Sequence, residues 1–499
     1  MPELTFDTLV DDGGYSLGGS ERAKLENQIL LNELERKKKA RSMAVPTDDS
    51  KVKSRLREIG EPITLFGERA ADRRDRLIYV LSQINAARGD GEAMDEDTSD
   101  ESEDEVEEFY TPGSLELLEA RRRIAEYSLP RAQQRITQQR TQHKFPLSKI
   151  IDIRKKVFAE VKKFTNIGSQ IGDERPIAQV RFSPDSKLLA TGSWSGGVKV
   201  WNVPACTLKH TLRGHGDKVG GVAWHPNATI SQPENLVNLA SGAGDTNVHL
   251  WSLDKETPLA VLQGHQDRVC RVAFHPSGNY IASASFDTTW RLWDVSAQKE
   301  LLMQEGHSKE VYTVEFQDDG ALVASGGLDA IGRVWDLRTG RTAMVLDGHV
   351  QPIFALSFSP NGYQIATGAG DDTIRIWDLR SLKALYTIPA HRSNVSDVRF
   401  FRAQERSTSK PADVTMDGAE DVSADTPEID QDEETYRPGL YLASAGYDGL
   451  VKLWSADDWQ LMRTLTTDAG KVMSVDLSND SKLLASGTWN RNYQLYSPE

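Results

Sequence analysis

From residue 174 onward, apolar and polar side chains alternate in short runs. Val269-Cys270-Arg271-Val272-Ala273-Phe274 and Tyr280-Ile281-Ala282-Ser283 are two of them. A period of two sends successive side chains to opposite faces, so each run predicts a half-buried β-strand. Turn chemistry separates the runs: Ser183-Pro184-Asp185, His275-Pro276-Ser277-Gly278, Asp318-Asp319-Gly320 and Pro360-Asn361-Gly362. The strands recur in a fixed frame, seen whole from Gly264 to Asp294: a Gly-His start, a run, a turn, a second run, an Asp in a tight turn and a Trp-Asp end. Trp251, Trp293, Trp335 and Trp377 stand 42 residues apart. Trp454 follows Trp377 by 77, one period plus a 35-residue insertion, and Tyr496 follows Trp454 by 42. Trp201 precedes Trp251 by 50, one period plus 8. The chain therefore holds seven units.

A period in the low forties with Gly-His and Trp-Asp marks resembles the WD40 repeat. The resemblance implies an all-β, seven-bladed WD40 β-propeller of four-stranded blades over residues 165–499. It adds a demand. Glu499 follows the third strand of the last unit, so Thr165 to Ile171, in the slot of a preceding outer strand, is expected to complete that blade. The long insertion, 403–437, falls between the first two strands of the sixth unit and reads as a disordered acidic loop. The small one lies near Asn227 to Glu234.

Ahead of the repeats the period changes. Residues 1–19 are unpatterned and read as disordered. Ser20 opens a helical pattern with Leu25, Ile29 and Leu34 on one stripe, and Arg36 to Arg41 place five bases at its end, where a helix favours cations. In residues 45–81, Thr47 or Asp48 is the candidate cap of a short helix lined by Val52, Leu56 and Ile59, and Gly60 stops it. Pro62 to Gly67 is extended and apolar. A second helix follows, with Arg73, Arg74 and Arg76 expected in solvent and Leu77, Val80 and Leu81 buried. So small a helical motif, within residues 20–88, has few side chains to bury and should rely on a partner. Residues 89–110 form an acidic linker. Residues 111–164 read as a helical linker, with Thr111-Pro112 at its start, Leu115, Leu118, Ile124 and Tyr127 as its apolar positions, and a break or kink at Pro130. Residues 131–142 have little to bury. From Ser148 a better amphipathic pattern runs through Ile150, Ile153, Val157, Val161 and Phe164. It is expected to pack on the propeller or a partner, and its many lysines make RNA phosphate the alternative contact.

The run Gly60-Glu61-Pro62-Ile63-Thr64-Leu65-Phe66-Gly67-Glu68, with Leu56-Arg57 before it and Arg73-Arg74-Asp75-Arg76-Leu77 after it, resembles the small splicing-factor motif of the U4/U6 small nuclear ribonucleoprotein WD40 family. Propellers host many functions, so this motif makes the match specific. The resemblance implies a nuclear, non-enzymatic scaffold in the U4/U6 and U4/U6·U5 assemblies, bound to a companion U4/U6 protein and a cyclophilin-type isomerase, with U4/U6 RNA nearby or directly bound. Ile63, Leu65, Phe66, Arg73, Arg74 and Arg76 are then candidate partner contacts. The alternative is a general WD40 adaptor, such as a ubiquitin-ligase substrate receptor or a chromatin reader.

Formal charge is −15 over 499 residues. Asp90 to Glu108 holds 12 acids and no base, and Asp413 to Glu434 holds 10 and no base. Without those runs the remainder is near +7, so the acidity describes two solvated stretches rather than the working surfaces. Two cysteines, Cys206 and Cys270, both inside repeats, point to a reducing compartment without a disulfide framework. No signal-peptide pattern and no apolar run long enough to span a membrane occur.

Five units align His, Ser or Thr, Asp and Trp: His215-Ser241-Asp245-Trp251, His265-Ser283-Asp287-Trp293, His307-Ser325-Asp329-Trp335, His349-Thr367-Asp371-Trp377 and His391-Ser444-Asp448-Trp454. Ser, His and Asp together invite a hydrolase reading, but one catalytic site needs one copy, not five. The resemblance implies a hydrogen-bonded structural network instead. Units one and seven depart from it, with Asp173 and Asp468 for His, Ser195 and Asn490 for Asp, and Tyr496 for Trp. The residue before each turn Asp is implied to face the top of the propeller. There stand Trp194, Phe286, Tyr447 and Trp489, and the position before the first strand adds Lys218, Arg268 and Lys471. Aromatics beside cations on a rim suit protein or RNA docking. No metal-ligand cluster, phosphate loop or nucleotide fingerprint appears, so no cofactor, metal or small-molecule substrate is expected.

Overall fold

A computed structural model of the chain describes residues 49–63, 73–74, 76–81, 113–403, 436–467 and 470–498. It contains two compact units, Met1–Tyr110 and Thr111–Glu499.

In the first unit, helix α1 (Asp49–Glu58) buries Val52 and Leu56 against Leu77 from the helical residues 76–81. Gly60 ends α1 with φ +82°. Its N–H bonds Arg57 O at 3.1 Å and the Glu61 N–H bonds Leu56 O at 3.0 Å, the paired closure that a left-handed residue permits and a side chain resists. The expected exposure of the arginines is not found. Arg73 is buried, Arg74 and Arg76 are half-buried, and Arg76 Nη2 reaches Ile63 O at 3.5 Å. The reason is helical spacing: Arg73 precedes Leu77 by one turn and shares its inward face. Val80 and Leu81 are half-buried rather than buried. The helix expected over 20–41, the caps Thr47 and Asp48, and the contacts Leu65 and Phe66 lie outside the described residues.

In the second unit, strands β1 (Phe164–Ile171) through β28 (Asn492–Pro498) form seven four-stranded antiparallel sheets. Blades one to six take consecutive strands, from β2–β5 to β22–β25, and blade seven is ordered β1-β28-β27-β26. Closure is as the sequence demands. β1 pairs with β28 from Phe164 opposite Pro498 to Ile171 opposite Asn492, with one irregularity between Asn166 and Gly168. Phe164 is buried among Val161, Leu484 and Tyr496. Blade seven thus has four strands like the others, and the closed ring leaves only short, protected edges. Blade six carries the long insertion between β22 (Val395–Phe400) and β23 (Tyr441–Gly446), and residues 404–435 within it lie outside the described residues.

A ring of buried charge lines the channel. Arg181 of blade one meets Asp397 of blade six at 3.1 Å, and Glu315 of blade four accepts from Arg399 at 2.9 Å and Arg402 at 2.6 Å. Burial opposes ionisation of Asp397, yet Arg181 and Arg399 hold its carboxyl below the usual range.

Helix α2 (Leu115–Gln142) crosses the end of the propeller where the first and second strands of blades three to five turn. Ser114, not Thr111, caps it: the Leu117 N–H reaches Ser114 Oγ at 3.2 Å, while Thr111 and Pro112 lie outside the described residues. It runs unbroken through Pro130. Its polar second half is held by tertiary bonds that outweigh the one Pro130 forfeits. Arg135 meets Asp319 at 2.6 Å and donates to Asn361 O at 3.0 Å, and Gln139 donates to Asn361 O at 2.7 Å. Gly362, at φ +76°, leaves room for this: a Cβ there would stand 2.5 Å from the Arg135 guanidinium carbon. The inward positions are Leu117, Ala120, Ile124 and Ser128, so the expected Leu115 and Leu118 face solvent instead. Helix α3 (Leu147–Lys162) starts one residue before Ser148, after Pro146. It buries Ile153, Val157 and Val161 beside β25 (Leu461–Thr466), with Arg154 to Asp457 at 3.0 Å and Arg437 to Glu160 at 2.5 Å.

Candidate functional site

The turn between the second and third strands of each blade lies at the opposite end from the one α2 covers. A repeated backbone bond builds its surface. The residue before the turn Asp donates its N–H to the carbonyl of the residue preceding the first strand: Trp489 to Lys471 at 2.9 Å, Phe286 to Arg268 at 3.1 Å, and Gly244 to Lys218 at 2.9 Å. Main-chain geometry thus sets Trp489 and Phe286 beside a cation of their own blade, whereas Trp194 and Tyr447 donate to Pro176 and Asn394 and meet Lys218 and Lys471 of the next blade instead.

The blades bring most of these side chains together. Trp194 and Trp489 meet edge to face with centroids 4.8 Å apart. Lys218 lies 5.1 Å from the Trp194 ring, and Lys471 lies 5.4 Å from Tyr447 and 5.8 Å from Trp489. Blades six, seven, one and two thus share one arc, Tyr447-Lys471-Trp489-Trp194-Lys218. Trp489 is 42 % exposed, a large area for a ring without a polar reason to be there. Phe286 and Arg268 do not join this arc. They pair with each other at 3.6 Å on blade three, and Phe286 continues to Tyr312 at 6.5 Å and on to Phe354 at 5.3 Å. Sequence reasoning missed Tyr312 and Phe354. Their signal was available: both follow the first residue of an inner strand, a position that points to the channel mouth.

Beneath this surface sit the five networks. In blade three, His265 Nδ1 bonds Asp287 at 2.7 Å, His265 Nε2 meets Ser283 Oγ at 2.6 Å, and the Trp293 indole N–H donates to that Oγ at 2.8 Å. Blades two, four, five and six repeat the arrangement around His215, His307, His349 and His391. The Asp also accepts a backbone N–H from the residue after each His. Burial pushes the Asp448 carboxyl up, but the His391 bond and charge outweigh it and hold it at about 2. These are also the bonds of a catalytic triad, but each hydroxyl is fully buried and accepts a Trp indole N–H as well, so it is not open to a substrate. Blade one substitutes Asp173, which accepts from Ser195 and pairs with Lys199 at 3.2 Å, while Trp201 donates to Thr191 at 3.0 Å. Blade seven joins Tyr496 to Ser486 at 3.3 Å and to Gln494 at 2.7 Å. Asp468 lies outside the described residues.

Blade two alone adds a second imidazole. His249 stacks on His215 with centroids 3.7 Å apart and planes 9° from parallel. His215, Asp245 and His249 gather enough donor atoms to hold a cation. Their orientation argues against it. Parallel stacked rings aim their lone pairs along parallel planes, and His215 already uses Asp245 and Ser241. Burial and the His215 neighbour depress His249 to about 4.

Residues 52–80 match the family described as pre-mRNA processing factor 4 (PRP4) like. The WD domain, G-beta repeat family matches residues 164–202, 206–252, 256–294, 298–336, 340–378 and 459–497. Six matched WD repeats thus follow a PRP4-like motif along the chain. The unmatched repeat is blade six, where the insertion interrupts the frame. A mouse protein named U4/U6 small nuclear ribonucleoprotein Prp4 is 42% identical over 237 residues, 46% of this chain and 46% of that one. The human protein of that name is 42% identical over 229 residues, 44% of each. The Saccharomyces cerevisiae U4/U6 small nuclear ribonucleoprotein PRP4 is 36% identical over 194 residues, 37% of this chain and 40% of that one. The chain spans about half the length of the curated relatives it matches.

Proposed function

We propose that this chain is a non-catalytic scaffold of the spliceosomal U4/U6 small nuclear ribonucleoprotein and of the U4/U6·U5 tri-snRNP, acting in the nucleus in pre-mRNA splicing. The observation that carries the reading is the PRP4-like motif at residues 52–80 ahead of a seven-bladed propeller. The printed names of the mouse, human and yeast relatives support it. A scaffold role also fits the chemistry, because every Ser-His-Asp set is spent on holding a tryptophan.

The faces divide the work. α2 and α3 cover one end of the propeller, so the companion U4/U6 protein docks on the opposite face, with Trp489, Trp194 and Tyr447 as anchors and Lys218 and Lys471 as the charged margin. Phe286 and Arg268 extend that surface. The motif around Ile63, Leu65, Phe66, Arg73, Arg74 and Arg76 supplies a second contact. A cyclophilin-type isomerase joins through the companion protein or this chain, and U4/U6 RNA lies close by. Affinity purification of the tagged chain from nuclear extract tests the reading. Co-purifying U4 and U6 RNA, lost on deleting residues 45–81, is the expected result. Ubiquitin-ligase or chromatin subunits without those RNAs would overturn it in favour of a general adaptor.

A further inference from the structure

The channel holds one arginine that the site above does not use. Arg271 is the third residue of β10 (Val269–Phe274), the inner strand of blade three, and it borders the open space of the channel. It is 6 % exposed, and among the described residues no carboxylate stands at ion-pair distance from it. A guanidinium offers five N–H donors. This one donates to Gly220 O and lies 5.4 Å from the Tyr312 ring. Taking a charge out of water without an ionic partner is costly, so a buried arginine in that state marks a place where an anion fits.

The neighbours explain why no acid of this chain reaches it. The same strand position holds Gln179, Gly221, Thr313 and Ala355 in blades one, two, four and five. None carries a carboxylate, and Gly221 has no room for a side chain: a Cβ there would stand 2.7 Å from Arg271 Cα. Blade six has Asp397, but that carboxylate already accepts from Arg181 at 3.1 Å and from Ser474 Oγ of blade seven at 2.7 Å. The Arg271 charge acts on Asp397 less than those of Arg181 and Arg399 do. Glu315 holds Arg399 and Arg402. Asp476 accepts the Phe182 N–H at 2.7 Å, and burial pushes its carboxyl up.

The surroundings of Arg271 toward the rim are aromatic. Tyr312 and Phe354 stand at the channel mouth with ring centroids 5.3 Å apart. Burial pushes the Tyr312 phenol up to about 12 and that of Tyr447 up as well, with the Arg271 charge opposing both shifts. Both phenols therefore stay neutral O–H donors near neutral pH. Tyr447 also belongs to the aromatic arc, beside Lys471. Arg271 thus lies at the inner end of the docking surface, a single charge behind aromatic rings and largely screened from water. In that setting a charged pair contributes most to a protein contact.

We propose that Arg271 receives the carboxylate of an aspartate or glutamate from the protein docked on the rim face, with the phenols of Tyr312 and Tyr447 beside it. This rests on the scaffold reading above and deepens it by naming the chemistry at the centre of the contact. A carboxylate suits the place better than an RNA phosphate. One guanidinium balances one charge, Asp397 and Glu315 in the same channel oppose a second, and a phosphate backbone brings its charges in a row.

The test titrates the purified full chain with the purified companion U4/U6 protein, whose Asp and Glu residues are changed one at a time to Asn and Gln. Arg271→Gln should weaken binding roughly thirtyfold or more, since removing one member of a desolvated charge pair strands the other. One acid of the companion should cause a similar loss against the parent chain and little further loss against Arg271→Gln, the coupling that marks a direct pair. Melting curves report whether Arg271→Gln keeps the fold. The companion series leaves this chain untouched, so it decides the matter even where that variant does not. Parent-level binding by Arg271→Gln would overturn the proposal, as would a companion series in which no acid matters by about tenfold. Competition by an RNA duplex that Arg271→Gln abolishes would mark a phosphate as the occupant and overturn it too. In each case a companion that still binds the parent chain leaves the scaffold reading standing. A companion that does not bind the parent chain at all overturns the docking face of that reading and the proposal with it.

Discussion

Trp194 of blade one and Trp489 of blade seven meet edge to face, 79° apart, across the seam where the propeller closes. Their blades are joined elsewhere by the inner strands and by β1, so the pair is not needed to hold the ring shut. An aromatic pair of this kind adds about 0.5–1.5 kcal/mol to a fold. Trp194→Ala with Trp489→Ala should therefore lower the melting temperature by only a few degrees, roughly 2–4 °C per kcal/mol lost. If the rings anchor a partner, the same change removes about 2 kcal/mol or more of binding, some thirtyfold in affinity. Calorimetry on the free chain and titration with the companion protein separate the two. A large thermal loss with unaltered binding would assign the rings to the fold.

The closing strand makes the opposite prediction. Phe164 is 1 % exposed and β1 supplies the only partner of β28 on that side. Deleting residues 165–171 should abolish cooperative unfolding, and Phe164→Ala alone should cost about 3–5 kcal/mol in chemical denaturation. A deletion variant that unfolds as sharply and as late as the parent would refute the role of this strand.

The networks are not equal. Ser283 is fully buried and serves both His265 and Trp293. Ser283→Ala strands two polar groups and should cost roughly 2–4 kcal/mol. Ser486→Ala in blade seven removes one bond of 3.3 Å to a hydroxyl that keeps Gln494, and should cost about 1 kcal/mol or less. Equal losses measured in urea would contradict this ranking.

Acid should unfold the propeller partly through two imidazoles. Burial depresses His249 and His275 to about 4 in the fold, from 6.5 when unfolded. Between those values the unfolded chain binds protons that the folded one refuses. Stability is therefore complete above about pH 6.5 and is lost as pH falls toward 4. Other blades carry Lys, Arg or Gln at the position of His249, so His249→Gln should fold and should flatten the stability–pH curve in that window by up to one proton. An unchanged slope would show that His249 titrates alike in both states.

Much of this molecule was legible before any coordinates. The 42-residue period located all seven blades, including the sixth, because each repeat must present the same strands to the same neighbours. The motif residues Leu56, Gly60 and Leu77 showed their roles through helical spacing and the left-handed turn at Gly60. The arc of Tyr447, Trp489 and Trp194 was visible because the fold places equivalent positions side by side.

The exceptions share one cause. Arg135 reads as a polar residue with nothing to bury, yet it meets Asp319, 184 residues away, and keeps the helix running through Pro130. Leu115 and Leu118 read as core, but the surface beneath α2 selects Leu117 and Ala120. Arg181 and Asp397, 216 residues apart, form a buried pair that neither strand's pattern announces. Local periodicity, turn chemistry and capping act over a few residues, so the sequence by itself determined the repeat, the strands and the closing segment. The helix faces, the charged channel and the grouping of rim aromatics depend on which distant surfaces meet, and only the closed ring decides that.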